Sequence, residues 1–208
     1  MAPAIWYPLF LENALKGGAP HLVSNDIRAA LVAGTYTPAD THDFWNDVVA
    51  NELATGGGYT ANGLALASKG WAYVAANSWS VTWSASASIK AGTIIRPTTG
   101  NGRIYRAQNT GTGSGTEPTW PTVYGDEVAD GGVTWTCIGR GALAYTFTDP
   151  AWPGFTGDFR YVVFYDRTPA SDATRPVIGY VDMGAQSLSG ANLTIDGASS
   201  GVLVIPLI

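Results

Sequence analysis

The chain has 208 residues, enough for one large β domain or for a domain carrying a small module. Charged residues make up 13% of it and hydrophobic residues 46%, a balance that points to a surface covered in part by other subunits, because exposed monomers rely on charge for solubility. The net charge of −5 and the lack of a basic run argue against a nucleic-acid partner; no apolar stretch approaches the ~20 residues that cross a bilayer as a helix, and Cys137, the single cysteine, excludes an internal disulfide framework.

Met1–Phe10 carries Trp6, Tyr7, Leu9 and Phe10 around Pro3 and Pro8. It reads as an extended arm with no charge before Glu12, and as a poor signal peptide. Nothing within these ten residues can bury their own aromatics, so the arm is expected to pack across a subunit or shell interface. Leu11–Lys16 can form a helical turn closed by Gly17 and Gly18. His21–Tyr36 reads as a strand, with Ile27, Ala29, Leu31 and Ala33 on one parity. In DTHDFWNDVVANEL the apolar Phe44, Trp45, Val48, Val49 and Leu53 predict a short helix ended by Gly56–Gly58. Leu64–Ala67, Trp71–Ala75 and Ser78–Ala85 read as short strands.

From about Ser88 to Ala142 the composition turns dense in Gly, Thr and Pro. Thr93–Arg96, Arg103–Gln108 and Val133–Ile138 are strand-like there, separated by TGNG, GTGSG and ADGG turns. This stretch, 88–142, reads as a small β-rich module inserted into a main domain of 1–87 and 143–208. The main pattern resumes with Tyr145–Thr148 and a PAWPGFTGD turn. A hairpin then follows: Phe159–Asp166 and Val177–Met183 are strands, and Phe159, Tyr161, Val163 and Tyr165 share a face. Leu193–Ile195 and Val202–Ile208 form an apolar end. The sum predicts an all-β fold, mainly an antiparallel sandwich or barrel, with one short helix.

Chemistry-bearing motifs are sparse. The chain has no phosphate-binding Gly-rich loop, no nucleophile elbow and no paired-histidine zinc motif. No enzyme activity, cofactor or metal is expected. Asp40, His42, Asp43 and Asp47 offer oxygen-rich groups to a divalent cation, but they lack the spacing and glycine hinge of a calcium loop, so capping is their expected role. Asp126, Glu127 and Asp130 sit among turn glycines. Cys137, in VTWTCIG, is expected to be a small buried hydrophobe. Tyr105, Trp120, Tyr124 and Trp135 in the insert either build its core or form a flat platform on which sugars stack.

LVSNDIRAALVAGTYTPADTHDFWNDVVANEL, GGGYTANGLALA and FRYVVFYDRTPASDATRPVIGYVDMG together resemble a family of small tailed-bacteriophage virion proteins. Met183 stands where that pattern commonly has Phe. The insert, with Tyr105, the Glu117–Pro121 run and Asp130-Gly131…Thr134-Trp135, resembles a small module recurring in phage structural proteins. The resemblance implies a non-enzymatic virion component. Its expected place is the capsid surface, as a decoration or cement protein that binds the major capsid protein or other virion proteins and assembles as a homo-oligomer. The alternative is a tail or fibre component that binds host-surface glycans.

Overall fold

The computed structural model describes residues 4–18, 20–196 and 203–207. The strands in chain order are β1 (Ile5–Trp6), β2 (Ile27–Val32), β3 (Leu64–Ala65), β4 (Ala67–Ala75), β5 (Ser88–Ile89), β6 (Ile94–Ile95) and β7 (Ile104–Ala107). They continue with β8 (Gly111–Thr112), β9 (Glu127–Asp130), β10 (Val133–Gly139), β11 (Gly141–Thr148), β12 (Ala151–Asp166), β13 (Val177–Thr194) and β14 (Leu203–Leu207). Among the described residues the one α-helix, α1, spans Pro8–Leu15. The fold is all-β, as the strand-and-turn pattern predicts. The chain divides into two compact units, Pro3–Gly70 with Phe147–Ala198, and Trp71–Thr146 with Ser199–Ile208.

The first unit is built on the long hairpin. β12 and β13 run antiparallel, with Tyr161 opposite Asp182, Val163 opposite Tyr180 and Tyr165 opposite Val177. β2 pairs along the other side of β12, from Tyr161↔Val32 to Asp166↔Ile27, in a sheet ordered β1-β13-β12-β2-β3. β-Branched and aromatic residues fill its centre, where Ile27, Leu31, Val32, Val162, Val163, Phe164, Tyr165, Val177 and Ile178 are fully buried. Each such aliphatic side chain contributes roughly 1.5–3 kcal/mol by leaving water. Tyr161, Val163 and Tyr165 lie in this core, and Trp45 stacks on Tyr165 at 3.9 Å between ring centroids.

The hairpin is longer than its sequence pattern suggests. PAWPGFTGD forms the first half of β12 rather than a turn, and buries Trp152, Phe155 and Phe159. The ladder absorbs its glycines and proline through shifts of register between Trp152 and Phe155 and between Phe155 and Gly157. Gly57 explains part of the triple-glycine turn: Thr156 donates its N–H to the Gly57 carbonyl at 2.8 Å, and a Cβ there would stand 2.1 Å from the Thr156 oxygen.

The helix lies elsewhere than predicted. DFWNDVVAN folds as two single 3₁₀ turns, Trp45–Asp47 and Val49–Asn51, because tertiary partners claim its backbone. Trp45 N–H donates to Arg175, Leu53 N–H to Leu31, and the Asn51 carbonyl accepts from Ala33. The β-branched pair Val48–Val49 and two asparagines do little to oppose this. The helix instead follows β1, with Pro8 at its first position, where the missing N–H costs nothing.

The second unit is woven from short strands. β6-β7-β10-β9 form a four-stranded sheet, β14-β11-β4 a three-stranded one, and β5 pairs with β8. Residues 71–87, 143–146 and β14, grouped by composition with the main domain, lie in this unit. Ser78–Ala85 forms no strand; it follows a 3₁₀ turn at Ala76–Ser78 and carries an isolated bridge from Thr82 to Arg96. Two apolar clusters fill the unit: Trp79, Ile94, Ile104, Ala142, Ala144 and Val204 in one, and Ile95, Tyr105, Val133, Trp135 and Cys137 in the other. Burial of Cys137 raises its thiol above the usual range.

Candidate functional site

Asp130 ends β9 one turn before β10 begins, so its side chain points into the second unit's core and is buried. Its Oδ1 accepts the Ser114 N–H at 2.8 Å and the Ser114 hydroxyl at 2.7 Å. Its Oδ2 accepts the indole N–H of Trp83 at 2.8 Å and of Trp135 at 3.0 Å. Burial pushes this carboxyl up, but the bonds from Ser114, Trp135 and Trp83 outweigh it and hold it below the usual carboxylate range. Four donors on one anion make it the fixed point of the module.

Beside it runs a row of rings. Tyr105 and Trp120 lie 4.4 Å apart, and Trp120 meets Trp135 edge-on at 6.1 Å. The Tyr105 hydroxyl donates to the Pro121 carbonyl at 2.6 Å and accepts the Asn101 amide at 2.7 Å. Trp120 donates its N–H to Glu117 Oε1 at 2.8 Å, and the Thr98 N–H and hydroxyl also donate to that carboxylate. Burial raises Glu117, but the Thr98 and Trp120 bonds prevail and leave it below its ordinary value. These residues border an open groove of about 360 Å³, lined by Pro97, Thr98, Thr99, Asn101, Glu117 and Trp120 among others.

This geometry corrects the sugar-platform expectation for two of its four residues. Tyr105 and Trp135 are buried core rings with no face to offer. Tyr124 is 55% exposed but does not line the groove, whereas Trp120 is half-buried and does. Thr98, Thr99 and Asn101 escaped the sequence reading. The usable signal was the Glu117-to-Trp120 spacing, which lets the carboxylate meet its own tryptophan.

The N-terminal arm is also corrected. Ile5 and Trp6 pair with Tyr180 and Gly179 as the edge strand of the first unit's sheet. Tyr7 donates its N–H to Ile178, and its ring, buried, lies 5.3 Å from that of Tyr180. Phe10 is buried and stacks on Trp6 at 5.7 Å, while Leu9 is half-buried. The aromatics thus find cover within their own unit, supplied by β13 far along the chain.

Of the acidic group near residue 40, Asp47 accepts the N–H groups of Asp43 and Phe44, which is capping. His42 Nδ1 sits 2.7 Å from the Tyr36 hydroxyl. Among the described residues no three His, Cys, Asp or Glu side chains gather as metal ligands, and no helix is long and apolar enough to cross a membrane.

A second surface feature lies on β4, β11 and β14. Leu143 and Ile205 are register partners, 37% and 38% exposed, so they share a face. The ring of Tyr145, two residues from Leu143, meets that of Trp71 at a tilt, 5.3 Å between centroids, and so brings Trp71 and its parity-mate Tyr73 to that same face. Trp71 is 42% and Tyr73 59% exposed. The alternation of WAYVA, aromatic against small, was the sequence signal for it. Comparison with protein-family models, curated proteins and solved structures finds no match to this chain.

Proposed function

We propose that the chain is a non-enzymatic structural protein of a tailed-bacteriophage virion, and that it decorates the assembled capsid shell. The motif order that resembles small virion proteins supports the class. The observation that carries the docking is the exposed apolar face of Trp71, Tyr73, Leu143 and Ile205, contiguous across three strands of a chain with few charges. Apolar faces of this kind mark protein-binding surfaces, and aromatic residues are enriched at the centres of such contacts. The shell is the partner, and the N-terminal arm stays in the first unit.

The test is co-sedimentation of purified protein with capsids that lack it. Wild-type protein should bind, while Tyr73→Ser and Leu143→Asp, both at exposed positions, should lose binding and keep their melting temperature. Full occupancy by both variants overturns the docking face. Antibody labelling confined to the tail overturns the capsid placement. A soluble oligomer built on this face, with shell binding unaffected by either substitution, assigns the face to self-association instead.

A further inference from the structure

We infer that the groove beside Trp120 is a binding site for neutral saccharides. This rests on the groove alone and stands apart from the capsid reading. Its volume, about 360 Å³, falls near the lower end of the roughly 300–1,000 Å³ of small-molecule sites. Trp120 lines it with a ring held from behind by Tyr105 and fixed at its N–H by Glu117. A pinned indole offers an apolar face to the C–H side of a sugar without ordering cost at binding.

The remaining wall supplies what sugar hydroxyls require. Thr98, Thr99 and Asn101 line it, with Thr119 at the rim; the Thr98 hydroxyl is held by Glu117, and the Asn101 amide donates to Tyr105 and accepts the Arg103 N–H. Among the described residues the hydroxyls of Thr99 and Thr119 are not committed to another side chain. Pro97 and Pro118 stiffen both banks. No lysine or arginine lines the groove, and its charged group is the Glu117 carboxylate, whose hydrogen bonds keep it ionised at neutral pH. Arg96, which donates to the Pro97 and Thr98 carbonyls at 3.1 and 3.4 Å, offsets part of that charge without contributing to the lining, so the carboxylate in the wall still disfavours phosphates, uronates and sialic acids. Ligands rich in hydroxyls and free of negative charge remain.

The full chain should be titrated with tri-N-acetylglucosamine, maltotriose and sialyllactose, read by ligand-observed NMR and by tryptophan fluorescence. At least one neutral trisaccharide should bind and sialyllactose should not. Trp120→Leu should weaken that binding roughly tenfold, the worth of one aromatic stack. Because Trp120 also touches core rings, Thr119→Val at the exposed rim provides the second arm: it should weaken binding severalfold and leave the melting temperature unchanged. Absence of binding by both neutral sugars at tens of millimolar overturns the inference. So do equal binding of sialyllactose, and neutral-sugar binding that survives both substitutions. Capsid binding by these variants should be intact, so a failure here does not touch the docking face.

Discussion

In the first unit Trp45 stacks on Tyr165, and both its indole N–H and that of Trp152 are buried with no acceptor among the described residues. In the second unit Trp79 donates to the Ile94 carbonyl, Trp83 and Trp135 to Asp130, and Trp120 to Glu117. The difference follows from strand length. A ladder of 16 and 18 residues defines its core by repeated apolar pairing, so a large ring is located by shape alone. Strands of two to seven residues, as in β5 to β10, cannot do so, and charge-assisted hydrogen bonds fix the rings instead. An unpaired buried N–H costs about 1–3 kcal/mol, which the first unit's larger apolar core can offset.

The strongest way to break this comparison is to remove the anion. Asp130→Ala leaves two indole N–H groups and the Ser114 N–H without their acceptor, while the Ser114 hydroxyl keeps the Thr116 carbonyl, and the loss should be on the order of 4 kcal/mol. Hydrogen exchange resolves the units: β10 amides should lose protection and those of β12 should keep it. Equal loss in both would mean that the units do not unfold separately.

A matched pair sharpens the contrast. Trp45→Phe and Trp135→Phe remove the same volume from fully buried sites. The first also removes an unpaired donor, so its net cost should be about 1 kcal/mol; the second strips a bond from a buried carboxylate and should cost about 3 kcal/mol. Denaturant titration of each variant reads the gap of roughly 2 kcal/mol. Similar costs would show that Trp45 has found an acceptor.

Acid should weaken the second unit and spare the first. Asp130 and Glu117 are held below their ordinary values, so the stability they supply is present above the unfolded carboxylate range, near pH 4, and is lost as pH falls through the lower folded values. In the first unit burial raises Glu52, against the bonds it accepts from the Tyr59 hydroxyl and the Asn62 N–H. A raised carboxyl contributes stability that is full below its unfolded value and is lost as pH rises through the folded one. From pH 6 to pH 3, β10 amides should therefore weaken while the β2–β12 ladder is spared. Asp130→Asn should flatten the β10 profile; an unchanged profile would remove Asp130 as its source.

What was legible in the sequence tracks how local the physics is. The inner ends of the central hairpin, Asp166 and Val177, fall where the Pro-rich loop and the apolar alternation place them. Capping by Asp47 and the core roles of Tyr105, Trp135 and Cys137 were likewise readable from near neighbours. The arm was not, because Tyr7 and Phe10 depend on β13, some 170 residues away. The 3₁₀ turns at Trp45 and Val49 lost their helix to Arg175 and Leu31 for the same reason. Pro153 and Gly154 disguised the outer half of β12, since residues that usually mark a turn can also sit in a bulged ladder.

The smallest effect concerns that arm. Burial raises the Tyr36 hydroxyl to about 12 and the Tyr7 hydroxyl further, so both are protonated at neutral pH. They stand 2.6 Å apart, with His42 Nδ1 2.7 Å beyond Tyr36. If Tyr36 donates to the imidazole, Tyr7 donates to Tyr36, and the three form a chain rather than a node like Asp130. A chain that loses its end member keeps its remaining bond. Tyr7→Phe preserves the ring against Tyr180 and deletes one neutral hydrogen bond, so the first unit should lose only about 1 kcal/mol. Exchange of β13 amides near Ile178, which accepts the Tyr7 N–H, would report it. A loss of zero would free the hydroxyl from the chain. A loss as large as that of Asp130→Ala would make the arm's polar contact a fixed point equal to the second unit's, and the contrast between the units would fall.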